Sequence, residues 1–322
     1  MHKGVYMDGH EHEDIVKYWD IFFFPKMKEF KRCMAWYEGP DLKRIKPLLL
    51  PGEKEIIAEF HDESCCQANE FKSSAWLQQG EQILQKKGCG RLIHISDFIE
   101  EGNGWLVFQN PDGTISQDAC KVIYPGANGD PYWDCSQLIE QVRSAIPIFE
   151  VAHPRCQALF IFDQLSAHAA LPEDALKAFE MNKSNGSKQR HQKDTVIPDN
   201  NPTPKHCGKI QKMTTDDGQQ KGLLQTLEEQ GFNVTKMRAK CSPVCPWENS
   251  LCCMAWLLSK QDDFANQVSC LEILIKEAGH ECIFLPKFHC ELNPIEMVSY
   301  SNLVDNNNVI HLYFQVLGLG KV

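Results

Sequence analysis

The chain has 322 residues, 43% of them hydrophobic and 24% charged, with a formal charge of −10. These proportions are typical of folded soluble proteins and exclude wholesale disorder; the acidic balance argues against a protein that coats nucleic acid by bulk positive charge. No apolar run approaches the roughly 18 residues of a membrane span, and Met1–Asp14 carries His and acidic residues where a secretory leader needs an apolar stretch. The expectation is an intracellular, non-secreted protein with no membrane association. Its 15 cysteines are odd in number and scattered, a poor disulfide framework, so they are expected to be thiols.

Ile15–Tyr37 has apolar residues at helical spacing and predicts one or two helices ending before Gly39-Pro40. Glu55–Phe60 predicts a strand that halts at His61-Asp62. Arg91–Ile99 and Trp105–Gln109 predict two more strands, joined by a turn containing Gly102 and Gly104. Trp133–Ala152 predicts a helix interrupted by Pro147. Ala158–Phe162 is an uninterrupted apolar run, the pattern of a strand buried on both faces of a sheet. Leu171–Met181 and Gly222–Gln230 predict short helices.

Between those two helices, Asn182–Gln219 is rich in Asn, Gln, Pro and Ser and reads as an exposed loop. It is locally basic, so Lys183, Lys188, Arg190 and Lys193 are candidate contacts to a polyanion such as DNA, beside the plainer reading of a solvated loop. Ser269–Ala278 predicts a helix capped by Gly279, and Glu281–Leu285 a strand stopped by Pro286. Asn293-Pro294 offers a cap and first position for a last helix. A meander followed by strand–helix–strand alternation predicts an α/β fold, a mixed sheet with helices on its faces.

Three acids stand where these elements end: Asp62, Asp163 and Glu296. Carboxylates at strand ends face the crevice beyond the sheet, and three of them converging repel one another unless cations lie between. Two divalent ions about 3.5–4 Å apart can stabilise the attacking and leaving oxygens of an in-line phosphoryl displacement. An aspartate at a strand end is also a common turn former, so position does not single these acids out.

The surrounding residues do. His61-Asp62-Glu63-Ser64, then Phe162-Asp163-Gln164-Leu165-Ser166-Ala167-His168, then Leu285-Pro286 followed by Leu292-Asn293-Pro294-Ile295-Glu296, resemble the DDE superfamily endonucleases, the catalytic domains of mariner-like transposases. Trp76–Phe98, with Lys87-Gly88-Cys89-Gly90-Arg91 and Ser96-Asp97-Phe98, is similar to the family's second-strand region, and fungal members with a long insertion are the nearest in pattern. The resemblance covers roughly Glu55 to Glu296. It implies a ribonuclease H-like mixed sheet flanked by helices, with an insertion between the fourth and fifth core strands. It further implies Asp62, Asp163 and Glu296 as ligands of two Mg²⁺ or Mn²⁺ ions, and DNA as the partner. The implied activity is DNA phosphodiester cleavage or strand transfer in the nucleus, with no small-molecule substrate; an oligomer is left open. His168 matches the family's histidine and either orients Asp163 or a phosphate, or packs as an ordinary buried histidine. Glu63 is expected to point away from Asp62 by strand alternation and is excluded from the ligand set.

The implied division is an N-terminal helical segment (1–53), a core in two parts (54–180 and 263–298), an insertion (181–262) and an atypical tail (299–322). The interval from Asp163 to Glu296 is far longer than in compact family members, Ser299 stands where the family has tryptophan, and the tail is not basic. A transposon-derived remnant that binds DNA or protein without catalysis is therefore the second reading. In the insertion, Cys241 and Cys245 followed by Cys252 have a spacing compatible with structural zinc, and equally with buried thiols; adjacent Cys252 and Cys253 are not expected to ligate one ion together.

Overall fold

The computed structural model describes residues 9–67, 88, 90–165, 167–186, 188–241 and 252–297, the side chains of 296 and 297 excepted. The chain divides into two compact units, Met1–Ala170 with Cys270–Val322, and Leu171–Ser269.

The first unit opens with α1 (Glu13–Tyr18) and α2 (Phe24–Lys31), joined by a π-helical turn at Trp19–Phe23. A small hairpin follows, β1 (Trp36–Glu38) with β2 (Lys43–Ile45). Then come β3 (Ile56–Gln67), β4 (Leu92–Ile99), the hairpin of β5 (Val107–Gln109) with β6 (Ile115–Asp118), β7 (Lys121–Ile123), α3 (Cys135–Ala152) and β8 (Gln157–Phe162). The second unit supplies the two-residue strands β9 (Thr195–Val196) and β10 (Ile210–Gln211), and helices α4 (Leu223–Glu229), α5 (Met254–Ser259) and α6 (Asp262–Ala265). The chain returns to the first unit with α7 (Cys270–Glu277), β11 (Glu281–Phe284) and α8 (Pro294–Met297).

Five strands make the main sheet, in the order β11-β8-β3-β4-β7. β4 runs antiparallel to β3 and to β7, while β8 is parallel to both β3 and β11. The expected mixed sheet flanked by helices is present. Strand alternation sorts its side chains into two cores. On one face Ile56, Ala58 and Phe60 meet Leu159, Ile161, Ile99 and Ile283, covered by Phe23 and Phe30 from the N-terminal helices and by Ile295 of α8. On the other, Ile57, Phe98, Phe160 and Phe162 are covered by Leu138, Val142 and Phe149 of α3 and by Leu271 and Ile275 of α7.

Several elements differ from expectation, each for a physical reason. β3 continues to Gln67 rather than halting at Phe60, because β4 pairs with it as far as the Gln67–Leu92 position. The third strand of the meander is Lys121–Ile123 and not Trp105–Gln109, whose last three residues form a separate hairpin with β6. Pro147 does not interrupt α3. It is exposed, as is Arg143 one turn back, so the break in the hydrogen-bond ladder falls on the outer side of the helix, and buried residues lie on either side. A full capping box starts that helix, with Asp134 accepting from the main-chain N–H of Ser136 and Gln137 while the Gln137 side chain accepts from Asp134 N–H.

In the second unit, Leu171–Met181 holds a single 3₁₀ turn at Ala178–Glu180 and no α-helix. Leu176, Ala178 and Met181 are buried nonetheless, in a core with Met213, Leu223, Leu227, Met254 and Leu258. Asn182–Gln219 is not a plain solvated loop: it contributes β9, β10 and the buried residues Ile197, Met213, Gln192 and Gln211. Gln211 donates to Thr226 O and Glu229, which fastens β10 to α4. No helix among the described residues is long and apolar enough to cross a membrane.

Candidate active site

Parallel pairing of β3 with β8 sets Phe60 beside Ile161. Carried two residues on, the same register brings Asp62 level with Asp163, on strands that neighbour each other at about 4.8 Å. Asp62 lies within β3, at the point where its parallel partner ends, and Asp163 is the first residue after β8. Asp62 belongs by alternation to the face of Ala58 and Phe60, the face that α8 covers through Ile295.

The helix carrying Glu296 is fixed to this place by its own cap. Asn293, 2% exposed, donates from Nδ2 to the main-chain carbonyl of His61 at 3.0 Å, while its Oδ1 accepts from Ile295 N–H at 3.3 Å. One side chain therefore caps α8 and joins it to the residue before Asp62. Glu296 falls in α8; its side chain lies outside the described residues, as do Cys245, Trp76–Lys87 and the 299–322 tail.

Asp163 is held from the opposite face. His168, whose side chain is wholly buried, has Nδ1 3.1 Å from the main-chain oxygen of Asp163 and 2.5 Å from Oδ1. The aligned hydrogen bond is to the main-chain oxygen, and the carboxylate contact is off-axis, leaving Asp163 Oδ1 without an aligned donor. On its other side, Nε2 of His168 lies 3.0 Å from Glu63 Oε1, which also accepts from Trp133 Nε1 at 2.9 Å. Burial works against a charge on His168, but its hydrogen bonds and attraction to Asp163 and Glu63 outweigh that and push it up to about 10. Glu63 moves the opposite way: burial raises it, but His168 and His61 outweigh burial and hold it down near 2. The His168 imidazolium and the Glu63 carboxylate form a buried ion pair, a clamp that packs against Asp163.

Beneath the clamp lies a neutral polar network. His61, pushed down to about 4 by burial, meets Ser96 Oγ through Nε2 at 2.7 Å. Ser96 donates to Gln141 Oε1 at 2.6 Å, and Gln141 donates to the carbonyls of Ser96 and Ala119. Across β4, Asp97 is the register partner of Asp62 and is 4% exposed; burial pushes it up to about 7. A carboxyl half-neutral near pH 7 adds less repulsion beside Asp62 than a fully ionised one.

A cavity of about 600 Å³ opens beyond the ends of β8 and β11, and Asp163, 35% exposed, lines it with Lys287, Phe288, His289 and Asn293. Phe288 adopts φ +67°, a conformation side chains adopt at a cost of order 1–3 kcal/mol and retain where surrounding structure holds them. Hard oxygen donors level on two strands, one of them with an unaligned oxygen and open to a cavity, are a donor set that fits Mg²⁺ or Mn²⁺ completed by water and phosphate.

The sequence brings forward Asp62, Asp163, His168 and the α8 acid, and marks Asn293 only as a helix cap; it gives no site role to Asp97 or Trp133 and no sign of the bond from Asn293 to His61 or of the contact made by Glu63. Glu63 does lie on the face away from Asp62, yet it reaches Asp163 through His168. Of the basic residues, Lys183 and Lys188 are exposed. Arg190 is instead an internal strut, bonded to Glu180 and to the carbonyls of Pro172 and Glu173. Cys241 and Cys252 come together, and adjacent Cys253 joins them.

No family model matches the sequence, and no curated protein matches it. Among solved structures, the chain is similar to the mariner Mos1 paired end complex with Mg, at 11% identity over 53% of this chain and 41% of that chain, with a TM-score of 0.29. A pre-cleavage Mos1 transpososome matches at 10% identity, 53% and 42% coverage and a TM-score of 0.25. A Mos1 transposase paired-end complex with left transposon end matches at 11%, 35% and 30%, also at 0.25. The alignments take in less than half the length of those proteins. The fold stands on the sheet and its register, not on these likenesses.

Proposed function

We propose that the chain is a transposase-derived DDE endonuclease domain that cleaves or joins DNA phosphodiesters with divalent metal. The observation that carries this reading is the level placement of Asp62 and Asp163 on adjacent parallel strands, with the helix of Glu296 tied to the residue before Asp62. The sheet order, an antiparallel meander extended by two parallel strands, supports a ribonuclease H-like core.

Asp62, Asp163 and Glu296 would hold two Mg²⁺ or Mn²⁺ ions, which when bound supply Lewis-acid activation of the nucleophile and stabilise the leaving oxygen. The chain's own part is positioning. The His168 clamp holds the main chain of Asp163 in place, and Asn293 ties α8 to β3. In hydrolysis the water oxygen bonds to phosphorus as the bond from phosphorus to the 3′ oxygen breaks, leaving a 3′-hydroxyl and a 5′-phosphate. In strand transfer a DNA 3′-hydroxyl takes the place of water.

The second reading, an inactive remnant that binds DNA or protein, is favoured by Ser299 at the position of the family's tryptophan and by the non-basic tail. Nicking of supercoiled plasmid with Mg²⁺ or Mn²⁺, beside Asp163→Ala, decides between them. Nicking that is lost in the variant and with chelator supports the enzyme; absent or equal nicking supports the remnant.

A further inference from the structure

We propose that Cys241, Cys252 and Cys253 hold a zinc ion that staples the second unit. The three Sγ atoms lie within 4.8 Å of one another. Thiolates around a tetrahedral zinc, with Zn–S near 2.3 Å, stand about 3.8 Å apart, so the cluster needs little closing to accept the ion. Cys253 is fully buried, and Cys241 and Cys252 are half-buried, so a bound ion would be largely shielded from water.

The backbone arranges this convergence independently of the sulfurs. Met254 N–H donates to Arg238 O and Ala255 N–H to Ala239 O, both at 3.0 Å, laying the residues just before Cys241 against those just after Cys253. Cys253 Sγ also accepts from Trp256 N–H at 3.5 Å, which makes it the N-cap of α5 and fixes it at that helix start. Neighbouring Cys252 and Cys253 thus both reach Cys241, contrary to the sequence expectation that they could not face one ion together.

The unit has reason to need a staple. Among its described residues the two strands are two residues long and the longest helix is Leu223–Glu229, and the thiols border the core formed by Leu227, Met254 and Leu258. Small units built from short elements commonly gain stability from a structural metal. Soft thiolates select zinc over the hard ions suited to Asp62 and Asp163, so the two sites differ in chemistry. Binding would displace the thiol protons to solvent and leave one tetrahedral position for a further donor.

Metal analysis of the full purified chain tests this. About one zinc per chain is expected, retained in Asp163→Asn and lost in Cys241→Ser and Cys252→Ser. Replacing zinc with Co²⁺ should give a near-ultraviolet thiolate-to-cobalt band, a readout independent of nuclease activity. Should the serine variants fail to fold, chelation of the natural chain serves instead, with release of zinc and a fall in Tm expected. A zinc-free chain whose three thiols alkylate freely under native conditions would overturn the proposal, as would a disulfide between any two of them by mass spectrometry.

Discussion

Asn293 Nδ2 and the His61 carbonyl are 3.0 Å apart, which joins the cap of the last helix to the strand of the first acid. Both groups are buried. Removing the donor strands a carbonyl and takes away an N-cap, together costing about 2 kcal/mol of stability. If the chain cleaves DNA as proposed, the larger effect falls on that activity, because a misplacement near 1 Å at a reacting centre can cost about 10²-fold. Asn293→Ala should therefore keep a cooperative melt, with Tm lowered by a few degrees, while plasmid nicking drops by roughly two orders of magnitude. Equal nicking by both proteins would show that α8 does not need this bond.

The clamp makes a separate prediction. His168→Ala leaves Glu63 charged and largely buried, with Trp133 Nε1 still donating to it. Stranding one partner of a buried ion pair costs about 3–5 kcal/mol. Glu63→Gln in the same protein should recover part of that loss, because the stranded charge is removed. A double-mutant cycle by urea denaturation measures the coupling, and additive effects would mean that the contact contributes nothing.

Glu59 gives the pH dependence. It is wholly buried, both its oxygens lack hydrogen-bond partners, and burial, then the nearby Glu100, Glu101 and Asp97, push it well above the ordinary carboxylate range. The folded state thus binds a proton that the unfolded state releases near pH 4.5. Stability from this group is complete below that pH and is lost as pH rises toward the folded-state value. Glu59→Gln mimics the protonated form, so it should raise Tm at pH 8 and have little effect at pH 4. A variant less stable than the natural chain at pH 8 would contradict this.

The basic segment separates structure from binding. Arg190→Ala should lower the stability of the second unit, since three of its contacts are internal. Lys183→Ala and Lys188→Ala, both at exposed positions, should leave Tm unchanged. If these lysines meet DNA phosphates, each substitution reduces the slope of log affinity against log salt by about 0.9. An unchanged slope would remove them from the DNA surface.

What was legible in the sequence follows from how each element is buried. Ala158–Phe162 announces itself because every residue is apolar, and the structure leaves none of them above 1% exposed. Asn293-Pro294 is legible because cap chemistry is local. β7 was not, since Lys121–Ile123 is a three-residue edge strand with two exposed members and no alternation to read. The Leu171–Met181 segment has the apolar content of a helix, but its residues enter a core through irregular backbone, which periodicity cannot distinguish. Asp62 and Asp163 were found through their neighbours in sequence; their shared level came from register, and the link from Asp163 to Glu63 depends on the path of the chain after β8. Strand alternation correctly separated Glu63 from Asp62, yet gave no sign that His168 reaches both faces.

The proposed function requires that Asp62, Asp163 and Glu296 act together as metal ligands. Mn²⁺ binding followed by electron paramagnetic resonance tests it directly, because zinc in the second unit is silent there. Two bound Mn²⁺ per chain are expected, with binding weakened at least tenfold in each of Asp62→Asn, Asp163→Asn and Glu296→Gln, all three remaining folded. Equal binding by the natural chain and the three variants would contradict it.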